Sequence, residues 1–290
     1  MTSLLHRVKS KMAIFAHRKA RGMLDGEYGS VFHGRSLDFD DLRAYVPGDE
    51  VRDIDWKATA RHGTPLIKRY VAVRRQTVLL ITDTGRNMAA EAAGGEIKKD
   101  VAVMALGVMA YLAHRHGDVV GLVSGDATET RSLPAKGGEA HLERLLRHVH
   151  ASATADSAAS RLEDQLEHVA RTVKGRFLLF VVADELTATP SLAGLLRRLR
   201  AQHEILWLTV RDAELATGGD WYSVHDATPL PGQLAGSAGV AAAYARAVMD
   251  RDAGRQDMLR LAGITEGSVS GSQDVMTELF ALLERHRRAG

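Results

Sequence analysis

The sequence predicts an α/β protein built on a doubly wound, mainly parallel sheet, preceded by a β-rich segment and a basic helix. Three observations lead there. Apolar runs of strand length recur at residues 78–82, 119–124, 177–183 and 204–210. Stretches with helical periodicity lie at 97–116, 141–150, 161–173, 191–202, 240–261 and 274–287. Strands alternating with helices in this way form a parallel sheet covered on both faces. The third observation is a change of character at about Gln76, before which turns and charges replace the alternation. A length of 290 residues suits about two domains.

The elements follow from their residues in order. Residues 1–24 carry Arg7, Lys9, Lys11, Arg18, Lys19 and Arg21 and no acid, with an apolar stripe of Leu4, Leu5, Val8, Met12, Ile14 and Phe15. That pattern is a helix packed on the body with a basic solvated face; the alternative is docking to an acidic partner or a membrane surface. Residues 25–75 hold Gly26, Gly29, Gly34, Pro47-Gly48 and Gly63, and 64–73 read as a strand, so short strands and hairpins are expected, not a long helix. Residues 76–290 form the sheet domain, with 128–133 as an edge partner and a short strand between the last two helices. Residues 151–160 are a small-residue linker, and 217–239 an irregular stretch rich in Gly, Pro and Ala.

Composition excludes several classes. Lys+Arg 38 against Asp+Glu 36 leaves +2, too even for a protein that coats nucleic acid. With no cysteine there is no disulfide, thiolate metal site or cysteine nucleophile. The longest apolar run, 101–113, is shorter than the ~20 residues a membrane helix needs. Basic residues interrupt the first segment, so it does not read as a signal peptide, and a cytoplasmic location is expected.

Chemistry in such a sheet lies beyond the carboxyl ends of the strands. Asp83 follows the first apolar strand and Asp184 the third. They read either as ligands of a hard cation or as helix caps. A metal-dependent hydrolase using Asp83 and Asp184 is the alternative function, without a recognisable base or nucleophile. The run Asp83-Thr84-Gly85-Arg86-Asn87 is neither a phosphate loop nor a dinucleotide fingerprint, and no nucleophile elbow occurs. His114 with His116, and His148 with His150, are two apart on helices and do not share a face.

The most distinctive stretch runs from Gly34 to Arg61, where acids and arginines alternate around Phe39, Leu42, Tyr45, Val51, Ile54 and Trp56. Arg43, Asp49, Arg52, Asp55, Trp56 and Arg61 are its candidate functional residues, either as a salt-bridged clip to the sheet or as a recognition surface. Trp56, between Ile54 and a basic run, is expected on a strand and buried, so that removing it costs several kcal/mol.

This stretch resembles the signature of the domain of unknown function 58 family, G-x-x-x-D-F-x-x-L-R-x-Y-x-P-G-D-x-x-R-x-I-D-W-x-x-x-A-R, and the resemblance continues through Pro65–Tyr70 to Asp83. It implies a von Willebrand factor A-like domain and a non-enzymatic role beside a MoxR-type AAA+ ATPase in the assembly or maturation of client proteins. It further implies a divalent-cation site made by Asp-x-Ser-x-Ser after the first strand, a threonine from a second loop and an aspartate after a later strand. Here Asp83 and Asp184 match the outer ligands, while Gly85 and Asn87 replace both serines. Gly137-Gly138-Glu139 stands about where the threonine loop is expected. The site of Asp83, Asn87 and Asp184 is therefore degenerate; no cofactor is expected, with Mg²⁺ as the lesser alternative. Arg86, expected exposed at the tip, is the candidate for direct partner contact.

Overall fold

The computed structural model describes residues 3–18, 38–71, 76–213, 222–224, 228–229 and 238–289. The chain divides into two compact units, residues 1–31 with 77–290, and residues 32–76. It opens on helix α1 (Leu4–Arg18), which belongs to the larger unit.

The smaller unit pairs β1 (Asp38–Ala44) antiparallel with β2 (Leu66–Val71). Between them Pro47-Gly48 makes a turn, with Gly48 at φ 113° and the Asp49 N–H donating to the Val46 carbonyl at 3.0 Å. One 3-10 turn (Val51–Asp53) leads into α2 (Trp56–His62). The Asp55 carboxylate accepts from the N–H groups of Lys57 and Ala58, both at 3.0 Å, and so starts the helix. Gly63, at φ 76°, ends it. The expected strand in the second half of this segment is present as β2. Trp56 is a correction: it is the first residue of α2 and 64% exposed, not a buried strand residue. The cap at Asp55 turns the chain helical just where aromatic and β-branched neighbours read as a strand.

The larger unit is the expected doubly wound sheet. Its strands β3 (Thr77–Asp83), β4 (Val119–Gly125), β5 (Thr130–Lys136), β6 (Leu178–Asp184), β7 (Glu204–Val210) and β10 (Thr265–Val269) lie in the order β10-β7-β6-β3-β4-β5. All pair parallel except β5, which runs antiparallel to β4 at one edge. Two-residue strands β8 (Tyr222–Ser223) and β9 (Thr228–Pro229) pair with each other. The helices are α3 (Lys98–Arg115), α4 (Glu139–Ser152), α5 (Leu162–Thr172), α6 (Pro190–Gln202), α7 (Ala238–Leu261) and α8 (Val275–Ala289).

Continuous apolar strands need cover on both faces. Leu80, Ile81, Phe180 and Trp207 are fully buried between helix layers. Helix α3 is apolar nearly all round and buried from Val101 to Ala110, as a central helix must be. Helix α1 packs on α3 and α4 with Leu5, Val8 and Met12 buried. Its start is held by Glu143 of α4, whose carboxylate accepts from the N–H groups of Leu4 and Leu5. Gly107 lets α3 approach α1, since a Cβ there would stand 2.6 Å from Val8 Cγ2. Most of the apolar stripe of α1 thus faces the body, while Ile14 is exposed. No helix among the described residues is long and apolar enough to cross a membrane.

Candidate functional site

The neighbouring strands β3 and β6 end together, and the site grows from the acids at their tips. Asp83 is 2% exposed. Its Oδ1 accepts from the Gly85 N–H at 2.5 Å and its Oδ2 from the Arg161 N–H at 2.6 Å. Burial raises this carboxyl to about 6, against the opposing pull of those hydrogen bonds. Asp83 therefore ties the loop after β3 to the start of α5.

The second loop of the tip is residues 153–161, not 137–139. Because β5 runs antiparallel, Lys136 lies opposite Val120, at the amino end of β4. Gly137 to Glu139 then begin α4 at the far end of the sheet, where Glu139 pairs with Lys9 of α1 at 2.8 Å. Helix α4 carries the chain back to the tip. There the carbonyl of Ala158 accepts from Arg86 N–H, and that of Ala159 from Ala127 N–H, each at 2.9 Å. The hydroxyl residue that the topology brings to this place is Ser160.

Ser160 presses on Gly85. A Cβ at Gly85 would stand 2.5 Å from Ser160 Cα and 2.7 Å from its Oγ. Gly85 thus offers no side-chain oxygen and has no room for a serine in its place.

Asp184 is engaged by a cation from within the chain. Its Oδ1 accepts from Lys98 Nζ at 2.6 Å and from the Glu185 N–H at 2.8 Å. Lys98, the first residue of α3, is 1% exposed and also bonds Asp212, just beyond β7. Burial alone lowers its amine, but the carboxylates of Asp184 and Asp212 more than offset this and hold it above the usual lysine value. Glu185 pairs in turn with Arg251 of α7. The residues here do not fit the implied divalent site: one ligand position is empty glycine, both oxygens of Asp83 hold backbone N–H groups, and Asp184 holds an ammonium.

The other expected residues fall into two sets. Arg43 grips Asp49 with two bonds of 2.8 and 2.6 Å, and Asp49 also accepts from the Val46 N–H at 2.9 Å. That guanidinium lowers the Asp49 carboxyl, helped by the Val46 N–H. With Asp55 as helix cap, these three residues build the small unit. Trp56 and Arg61 are exposed on α2, and Arg52 is exposed and paired with Glu50. Arg86 is half-buried at the tip, with Nε shut from solvent, where an exposed guanidinium was expected. Asn87, in the 3-10 turn Arg86–Ala89, is half-buried beside it. Lys98, Ser160, Asp212, Glu185 and Arg251 were not singled out from the sequence. Only Asp212 carried a signal, as a third acid following an apolar strand.

Among relatives, uncharacterized proteins of Mycobacterium bovis and of Mycobacterium tuberculosis strain H37Rv are each 29% identical over 208 residues, or 70% of this chain. The match spans 65% of the length of those relatives. An aerotolerance-related membrane protein from Bacteroides fragilis matches in structure at 12% identity and a TM-score of 0.47, over 72% of this chain and 99% of that one. A von Willebrand factor type A structure from Catenulispora acidiphila matches at 10% identity and a TM-score of 0.40, over 76% of this chain and 43% of that one. The fold assignment rests on the sheet order itself. A family model covers residues 41–229, well over half of the chain, and it places the protein in the family described as Protein of unknown function DUF58.

Proposed function

We propose that the protein is a non-enzymatic interaction module that works with a MoxR-type AAA+ ATPase on client proteins. The observation that carries this reading is the division of labour in the signature. Arg43, Asp49 and Asp55 are spent on local structure, while Trp56 stands 64% exposed with Val51 60% exposed and Arg52 and Arg61 in solvent. Exposed tryptophan and arginine side chains are what anchor interfaces. The acids at the tip support the non-enzymatic part, because Asp83 and Asp184 are both engaged within the chain. The basic first helix turns Leu5, Val8 and Met12 to the body, which leaves Ile14 as its exposed large apolar side chain and little apolar face for membrane docking.

The test is co-purification with a MoxR-type ATPase from the same organism, with nucleotide present. Trp56→Ala is expected to leave the melting temperature unchanged, as exposed substitutions do, and to weaken the complex about 30-fold. Arg61→Ala is expected to weaken it less, and Arg86→Ala not at all. Absence of a complex with nucleotide overturns the reading. A complex sensitive only to Arg86→Ala moves the interface to the sheet tip.

A further inference from the structure

The tip of the sheet places a buried ammonium on Asp184, one of the acids to which the resemblance assigns a metal ion. We propose that Lys98 is the resident cation of the tip, its ammonium between Asp184 and Asp212 supplying the positive charge there, so that the tip closes without metal. The proposal stands apart from the ATPase reading, since it needs no partner.

Three features of the geometry carry it. The first is the position of the charge. Lys98 reaches from the start of α3 to the ends of β6 and β7, so one ammonium joins two strand tips and a helix through Asp184 and Asp212. Joining loops through shared carboxylates is what a bound cation does in such a place. The second is burial: the Lys98 side chain is 2% exposed and that of Asp184 12%, so neither charge is solvated by bulk water. A charge is tolerated there only when paired and hydrogen-bonded.

The third is steric. A metal taking oxygens from Asp83, Asp184 and the loop after β3 would need a donor at Gly85, where Ser160 Cα stands 2.5 Å from a Cβ position. A second cation beside the ammonium would meet like-charge repulsion in a poorly solvated place. The filled position at Gly85 and the ammonium on Asp184 therefore each take a ligand from a divalent ion. The loop from 158 to 160 fills the donor position, and the lysine supplies the charge.

The test follows thermal unfolding of the full chain as wild type, Lys98→Ala and Asp212→Asn. Each is measured in EDTA and with millimolar Mg²⁺, Mn²⁺ or Ca²⁺, beside calorimetric titration with the same ions. The wild type is expected to melt at one temperature in all four conditions and to give no binding heat. Lys98→Ala is expected to melt about 6–12 °C lower in EDTA, the consequence of uncompensated buried carboxylates. None of the three ions is expected to recover that loss, because Ser160 still fills the donor position at Gly85. Asp212→Asn is expected to melt lower by a smaller margin and to ignore the ions, because the ammonium still holds Asp184.

Micromolar metal binding by the wild type overturns the proposal. So does Lys98→Ala melting with the wild type, or recovery of its loss by any of the ions. Should Lys98→Ala fail to fold in EDTA, refolding on addition of an ion is read instead, and such refolding overturns the proposal.

Discussion

Asp83 shows how one buried carboxyl leaves a signature in solution. Its ordinary value is 3.8 and its folded value about 6, raised by burial. Between those values the folded chain keeps a proton that the unfolded chain has released. The contribution of this residue is therefore full at low pH and is lost as pH rises through about 6. A shift of this size corresponds to about 3 kcal/mol. Relative to Asp83→Asn, the wild type is expected to gain about that much in urea melts between about pH 7 and pH 4. A constant difference across the range would place the carboxyl at its ordinary value. The positions of Asp83 and Asp184 were legible because each follows an unbroken apolar strand. Lys98 was not, because a lysine at the start of a helix normally reaches solvent, and nothing local says that two acids more than eighty residues away will enclose it.

At the scale of elements, the close approach of α1 and α3 makes the most exposed claim. Gly107 has Val8 Cγ2 at 2.6 Å and Leu146 Cδ1 at 3.2 Å from its Cβ position. Gly107→Ala raises intrinsic helix propensity, yet overpacking is expected to win and to cost about 1–3 kcal/mol. Combining it with Val8→Ala is expected to cost less than the sum of the two single changes, read from denaturant melts. Strict additivity would mean that α1 does not sit on α3 at this point. The amphipathic stripe of α1 was readable from spacing, and so was the helical character of α3 from its periodicity. Helix α2 was not. Val51, Ile54 and Trp56 suit a strand one by one, and the outcome was decided by Asp55 and Gly63, a cap and a stop around a single pair of turns.

For the molecule as a whole, the alternation of strands and helices was enough to read the doubly wound sheet. The direction of one edge strand was not readable, and it decided which loop meets the tip. A parallel β5 would have ended at the tip and put Gly137 there; the antiparallel β5 sends those residues to the opposite end and leaves the place to Ser160. The division into units also differs from the expected three segments. The boundaries fall at 32 and 76, and the first helix is part of the sheet unit. Among the described residues, the buried cluster around Ile81, Val181 and Trp207 is drawn from the larger unit. Replacing residues 32–76 by a flexible linker is expected to leave a cooperative thermal transition by circular dichroism. A molten profile would show that the sheet needs the smaller unit to fold.

The insertion of the smaller unit between α1 and the sheet also sets a timetable for synthesis. The partners of α1 are α3 and α4, the second of which ends at Ser152. At ribosomal rates the interval between α1 and α4 is on the order of ten seconds. Until α3 and α4 have both emerged, Leu5, Val8 and Met12 of the nascent chain lack their full covering surface. The smaller unit, whose strands, turn and cap all pair within residues 38–71, emerges whole in that interval. The emerging polypeptide would then carry a bare basic amphipathic helix ahead of that unit, the form in which holdase chaperones would meet the chain.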